Sequence, residues 1–352
     1  MKKLVTFCLI LCMFGCMWLV ADASEKITVD TNTMNIVVDG NRVYSDNFVY
    51  NNTTYVPLRK IAEMLGKKVE WDQTSNSALI NDSENVVTSE DTTSGLDSQR
   101  NVVVSVDKNL MNIVVNGSRV NADNFVYNNT TYVPLRAISE MFNQKIDWER
   151  ISNTAHIGKP GISIFDGKPL GKVNEIEFTD YIYDYYGSMY ESEFEYYTTY
   201  DENPADYLGS SKEEFVKNKI LFDYTVISCA LEKGYSMRPY VNARYYESVA
   251  STLKGVKGDE EKFNRMLEMQ GFTTLNSYYY AMLVSDLYVQ LCQPYIDLIT
   301  EEQIYEFYQN NSDLASQYTF EESAEDISFI LARNLFDEFI NKETVKYTYV
   351  KY

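Results

Sequence analysis

A single histidine, His156, occurs in 352 residues. Metal sites built from several imidazoles, and reactions that need two histidines, are therefore excluded. Cysteine is scarce as well. Cys8, Cys12 and Cys16 lie in the first stretch of the chain, which leaves Cys229 and Cys292, read as two buried thiols or one disulfide. Basic residues are outnumbered, 31 against 51 acidic ones, for a formal charge of −20. Nucleic acid is bound by clustered Lys and Arg, so this balance argues against it as a partner. Beyond Val20 no run is apolar enough to span a bilayer. There is no HExxH, phosphate loop or acidic calcium loop, and no Ser-His or Cys-His pairing. Paired carboxylates such as Glu213-Glu214 and Glu301-Glu302 fall at expected helix starts, where they complement the dipole without any chemistry.

What is present begins with an export signal. Lys2 and Lys3 precede an apolar run from Leu4 to Val20, and Ala21-Asp22-Ala23 has the small-x-small pattern of a cleavage site. The expectation is a signal peptide over residues 1–23 and an extracytoplasmic protein, secreted or held at the cell surface. An uncleaved membrane anchor and an acylated Cys16 are the alternatives.

An internal repeat follows. The string DNFVYNNTTYVPLR runs from Asp46 to Arg59 and recurs unchanged from Asp123 to Arg136, an offset of 77 residues. In the first copy, Met34–Val38 is β-rich and ends in the hairpin dipeptide Asp39-Gly40. Phe48–Tyr50 and Thr54–Val56 read as strands joined by Asn51-Asn52. After Pro57, the residues Leu58, Ile61, Ala62 and Leu65 have helical spacing, and Val69–Trp71 and Ala78–Ile80 read as closing strands. The second copy uses Asn116-Gly117 at the turn. Each repeat is thus expected to be a small antiparallel sheet on one helix, over residues 24–82 and 102–160. A Ser/Thr- and acid-rich linker is expected over 83–101.

The pattern carried by Pro57, Arg59 and Trp71, and again by Pro134, Arg136 and Trp148, resembles the copper amine oxidase N-terminal (stalk) domain, common in exported proteins of Gram-positive bacteria. The resemblance implies tandem stalk modules in which these six residues are structural. It does not bring copper with it. In those oxidases the metal and quinone belong to a much larger catalytic domain for which this chain has no room, no His trio and no Asn-Tyr-Asp/Glu motif. Amine oxidase activity is therefore rejected, and no cofactor and no metal are expected.

From residue 161 the composition changes. Twenty-five of the 30 tyrosines lie beyond residue 160, and helical spacing replaces alternation. Ile162–Gly167 reads as a last strand and turn, Phe178–Tyr185 as the start of a long helix. Further helices are expected from the capping box at Ser211 to Gly234, over Pro239–Leu253, around Phe263–Gln270, over Thr274–Ile299, from Thr300 through Tyr308, and over Ala324–Ile340. Val345–Val350 reads as a closing strand. The overall expectation is α+β: two small sheet-plus-helix modules followed by a mainly α-helical domain over 161–352.

The order of FNRMLEMQGFTTLNSYYYAMLVSDLYVQL and ITEEQIYEFYQNN resembles the chaperone domain of SurA/PrsA-type foldases. In that family a parvulin isomerase domain usually follows the EFYQNN helix, whereas here only Ser312–Phe320 intervene. Isomerase activity is accordingly not carried over, and the resemblance implies a non-catalytic cradle for partly unfolded polypeptides. Tyr278, Tyr279, Tyr280, Met266, Met269 and Met282 are the candidate peptide-binding residues, since Tyr offers apolar area with a polar tip and Met adapts its shape. The competing reading of these residues is helical core, and three consecutive tyrosines on a helix cannot all face inward. The alternative function is a structural or adhesive envelope protein whose stalk modules bind wall polymer.

Overall fold

The computed structural model describes residues 24–82 and 98–352. The expected export segment, 1–23, and residues 83–97 of the expected linker lie outside them. The first repeat contains β1 (Glu25–Thr31), β2 (Asn35–Val38), β3 (Asn41–Arg42), β4 (Phe48–Tyr50), β5 (Thr53–Pro57), α1 (Leu58–Met64), β6 (Lys67–Asp72) and β7 (Ser77–Asp82). The second contains β8 (Gln99–Lys108), β9 (Asn112–Val115), β10 (Ser118–Val120), β11 (Phe125–Tyr127), β12 (Thr130–Pro134), α2 (Leu135–Met141), β13 (Ile146–Glu149) and β14 (Thr154–Ile157). Residues 99–101, expected as linker, are thus the start of a strand.

The turns follow from side-chain chemistry. Asn51-Asn52 and Asn128-Asn129 close two-residue hairpins with φ of 48°, 57°, 46° and 60°, the left-handed region that asparagine tolerates better than other side chains. Asp39-Gly40 and Asn116-Gly117 do the same between β2 and β3 and between β9 and β10.

The repeats are not two self-contained modules. Contacts divide the described residues into one unit of 24–31 with 45–143, and another of Asn32–Tyr44 with Gln144–Tyr352. In the first unit, β1-β4-β5-β12-β11-β8 form a closed barrel drawing equally on both repeats. Its core holds Ile27, Phe48 and Tyr55 beside their counterparts Val104, Phe125 and Tyr132. Phe48 meets Phe125 edge-on at 5.7 Å, and Phe125 stacks on Tyr132 at 5.3 Å. A sheet of order β10-β9-β7-β6 completes this unit, with Leu79 opposite Val114 in a parallel pair.

In the second unit the equivalent sheet is β13-β14-β2-β3, with His156 opposite Val37. Each repeat therefore lends its β2- or β9-type hairpin to the closing strands of the other. Beyond it come β15 (Pro169–Val173), β16 (Ile176–Thr179) and the helices α3 (Asp180–Thr199), α4 (Ala205–Leu208), α5 (Lys212–Glu232) and α6 (Pro239–Gly255). The chain continues through α7 (Glu260–Met269), α8 (Leu275–Ile296), α9 (Glu301–Asn310), α10 (Ser312–Gln317), α11 (Phe320–Thr344) and β17 (Tyr349–Lys351), with β16-β15-β17 forming a small sheet. The architecture is α+β, strand-rich first and mainly helical afterwards.

The predicted caps hold where oxygen side chains precede the helices. Ser211 and Thr300 both accept from the third backbone N–H, and the Gln303 side chain accepts in return from the Thr300 N–H, whereas the Glu214 carboxylate accepts from Ser210 instead of Ser211, so the box expected at Ser211 is only half formed. Several expectations fail: the closing strand is Tyr349–Lys351 rather than Val345–Val350, because the last helix runs on to Thr344, and Phe178 lies in β16, ahead of the helix that starts at Asp180. Ile162–Gly167 is not a strand, because Asp166 accepts from the Ser163 N–H and the Tyr181 hydroxyl takes the Ile164 carbonyl. The last helix begins at Phe320 rather than Ala324, capped by Thr319 and Glu322. Packing in this unit centres on Phe178, Ile182, Tyr224, Ile227, Leu283 and Phe336, all buried. No described helix is long and apolar enough to cross a membrane.

Candidate functional site

Helices α3, α5, α8 and α11 enclose a groove of about 890 Å³. Its walls are aromatic and soft: Tyr185, Met189, Phe222, Val284, Tyr288 and Phe329 all line it. Phe222 stacks on Tyr288 at 6.3 Å, and the Tyr288 hydroxyl donates to Asp337 Oδ1 at 2.5 Å. Arg333 Nε lies 3.8 Å from the other oxygen of Asp337. At one rim Tyr207 stacks flat on Tyr197, 4.2 Å between centroids. A large concave site with apolar walls and a few placed polar groups is the usual form of a ligand-binding cleft.

Asp223 also lines this groove although it is only 8% exposed. On α5 the buried stripe runs Val216, Ile220, Asp223, Tyr224, Ile227, so the helix turns a carboxylate into its own apolar face. Both neighbouring helices answer it. The hydroxyls of Tyr186 on α3 and Tyr280 on α8 each donate to Oδ2, the latter at 2.8 Å. Burial penalises the carboxylate and raises its pKa from 3.8 to about 6, an effect the two tyrosine hydrogen bonds oppose without cancelling. The same burial, with Asp223 beside them, pushes both tyrosines well above their ordinary value.

The residues singled out from sequence are placed differently. Tyr279 and Tyr280 are fully buried, so the expectation that they offer a peptide-binding surface is corrected. Tyr279 accepts from Asn242 Nδ2 at 3.1 Å and packs edge-on against Tyr245, and Tyr280 serves Asp223. Tyr278 is half-buried and donates to Ser248 at 3.3 Å, lining with Met266 a recess of about 30 Å³ on another side of α8. Met282 is half-buried against the core, and Met269 is 86% exposed. None of the six except Tyr280, through Asp223, touches the groove chemistry. The signal for the groove was instead an acid at a stripe position of α5, flanked by tyrosines on two other helices.

In the repeat region Pro57 and Pro134 end strands and start helices. Trp71 and Trp148 remain 44% and 59% exposed, and Arg59 and Arg136 are exposed too, Arg59 facing Glu63 at 4.0 Å. Arg59, Trp71, Asn129 and Thr130 line a second cleft of about 470 Å³.

Residues 37–157 match the model of the copper amine oxidase N-terminal domain. That domain is non-catalytic and stalk-like. The match runs through both repeats, in keeping with strands that close only when the two are combined. Among its described residues the region brings together no ligand set for copper. His156 Nδ1 already accepts from the Gly161 N–H at 3.0 Å, and no three His, Cys, Asp or Glu side chains converge among the described residues. No curated protein and no solved structure matches the chain.

Proposed function

We propose that this chain is an exported, non-catalytic envelope protein whose helical unit holds extended, partly unfolded polypeptides in the α3/α5/α8/α11 groove. The observation that carries the reading is the groove's lining: six or more aromatic and methionine side chains around one concave surface. Such walls accept apolar side chains of varied shape, while their hydroxyls and amides satisfy an extended backbone. Export rests on the sequence of residues 1–23.

The test uses the chain from residue 24 and light scattering from a chemically unfolded client. The wild-type chain is expected to suppress aggregation at near-stoichiometric ratio, and Phe329→Glu to abolish suppression while leaving the helical circular dichroism intact. Absence of suppression by the wild type overturns the reading.

The Trp71/Arg59 cleft supports a second reading, adhesion to wall polymer, because an exposed indole beside hydrogen-bonding side chains suits a sugar ring. Sedimentation with purified cell walls, compared with Trp71→Ala, tests it.

A further inference from the structure

We infer that the groove selects a basic side chain of the bound polypeptide, seating its ammonium or guanidinium against Asp223 and between the surrounding rings. The inference rests on the polypeptide-binding reading and adds the chemistry by which one segment is preferred over another.

Asp223 is a buried carboxylate whose hydrogen bonds come from two neutral hydroxyls, both on Oδ2. Tyrosine hydroxyls relieve part of the cost of burying charge, but they bring no opposite charge. The cation that acts on it is Lys219, one turn earlier on α5, and its ammonium lies over the Phe215 ring, 5.2 Å from the centroid. Lys219 and Phe215 both line the groove, so the groove already holds one cation against one aromatic face.

The other charges facing the space do not supply a partner. From α3 come Tyr185, Tyr186 and Glu193, from α4 Tyr207, and from α8 Tyr288, while Tyr280 is fully buried and meets Asp223 by its hydroxyl. From α11 come Arg333 and Asp337, which face each other at 3.8 Å. Carboxylates therefore outnumber cations in the groove, in a chain whose formal charge is −20. A field of that sign concentrates cationic segments near the surface. A Lys or Arg side chain suits the geometry further, since its methylene stem packs on rings while its head reaches a carboxylate.

The experiment is fluorescence anisotropy on the chain from residue 24 with labelled, otherwise identical apolar-aromatic peptides carrying Lys, Arg or Gln at the centre. The Lys and Arg peptides are expected to bind about tenfold tighter than the Gln peptide, the scale of one charge-assisted hydrogen bond. Asp223→Asn, which keeps an acceptor for both tyrosines, is expected to erase the preference, so that the variant binds the Lys, Arg and Gln peptides with equal affinity. Lys219→Met is expected to strengthen it by removing the internal competitor. Lowering the pH below about 6 erases the preference in the wild type, as Asp223 becomes neutral there.

Equal binding of all three peptides, or a preference that survives Asp223→Asn, overturns this inference and leaves polypeptide binding standing. Failure of every peptide to bind overturns both. n-Butylammonium carries the same head without a polypeptide and is expected to compete only at far higher concentration. Competition at concentrations comparable to the peptide's would make the ligand a free amine and contradict the proposal.

Discussion

Val56 lies opposite Val133 across the β5–β12 pair, and the two are the same position in successive repeats. Ile27 faces Val104 in the β1–β8 pair at the same offset of 77 residues. An antiparallel pair centred on equivalent residues is a local two-fold axis, and the barrel has one on each side. This symmetry explains why Phe48 and Phe125 share a core, and why neither repeat closes its own sheet.

It follows that residues 24–82 alone do not fold. Their β5 and β7 would expose edges that β12 and β9 cover in the intact chain. Circular dichroism of that fragment should show an unfolded chain; a cooperative melt would contradict the exchanged pairing. In the intact chain Val56→Ala and Val133→Ala should each cost about 2 kcal/mol, from lost burial and a partly collapsed cavity. The double variant should depart from additivity, because the two side chains are direct cross-strand neighbours.

The second prediction concerns Asp223 and pH. Its folded pKa is raised, so the folded protein binds the proton more tightly than the unfolded chain does. The resulting stability is fully present below pH 3.8 and is lost as pH rises through about 6. Asp223→Asn should remove this component, so the difference in stability between variant and wild type should change by up to about 3 kcal/mol across that window. Parallel denaturant midpoints for the two proteins between pH 4 and 7 would contradict it.

How much of this was readable beforehand depends on the range of the interaction. Hairpin turns at Asn51-Asn52 and Asp39-Gly40, and caps at Ser211 and Thr300, are local chemistry and stand in the sequence. The strand exchange is not readable, because two near-identical repeats present the same alternation whether β7 meets its own hairpin or the other one. The groove was missed for a related reason. Tyr278, Tyr279 and Tyr280 are adjacent in sequence, but which of them faces inward depends on how α8 packs against α5 and α6. Asp223 gains its meaning only when Tyr186 and Tyr280 arrive from elsewhere in the chain.

The third prediction follows from Arg42. Its guanidinium donates to Asn35 Oδ1 at 2.8 Å and to Asn242 Oδ1 on α6, and burial lowers its pKa. Arg42→Met should destabilise the helical unit by roughly 1–3 kcal/mol, because two buried amides lose a donor. A fragment starting at residue 162 lacks Arg42 altogether and should melt below the unit in the full chain. Equal melting temperatures would sink this.

Cys229 and Cys292 give the fourth. Both are free and buried, and burial raises both thiol pKa values. The reactive species is the thiolate, so a thiol reagent at neutral pH should leave both unmodified until denaturant is added. Rapid labelling of the folded protein would contradict their placement.

The most direct test of the central claim is to place a photo-reactive phenylalanine analogue at position 329 and, separately, at position 269, and to irradiate each protein with an unfolded client. Phe329 lines the groove and is 37% exposed, whereas Met269 is far more exposed and lies outside it. The account predicts client adducts from position 329 and few from position 269. Equal yields, or a higher yield from position 269, would mean that exposure rather than the groove governs contact and would contradict it.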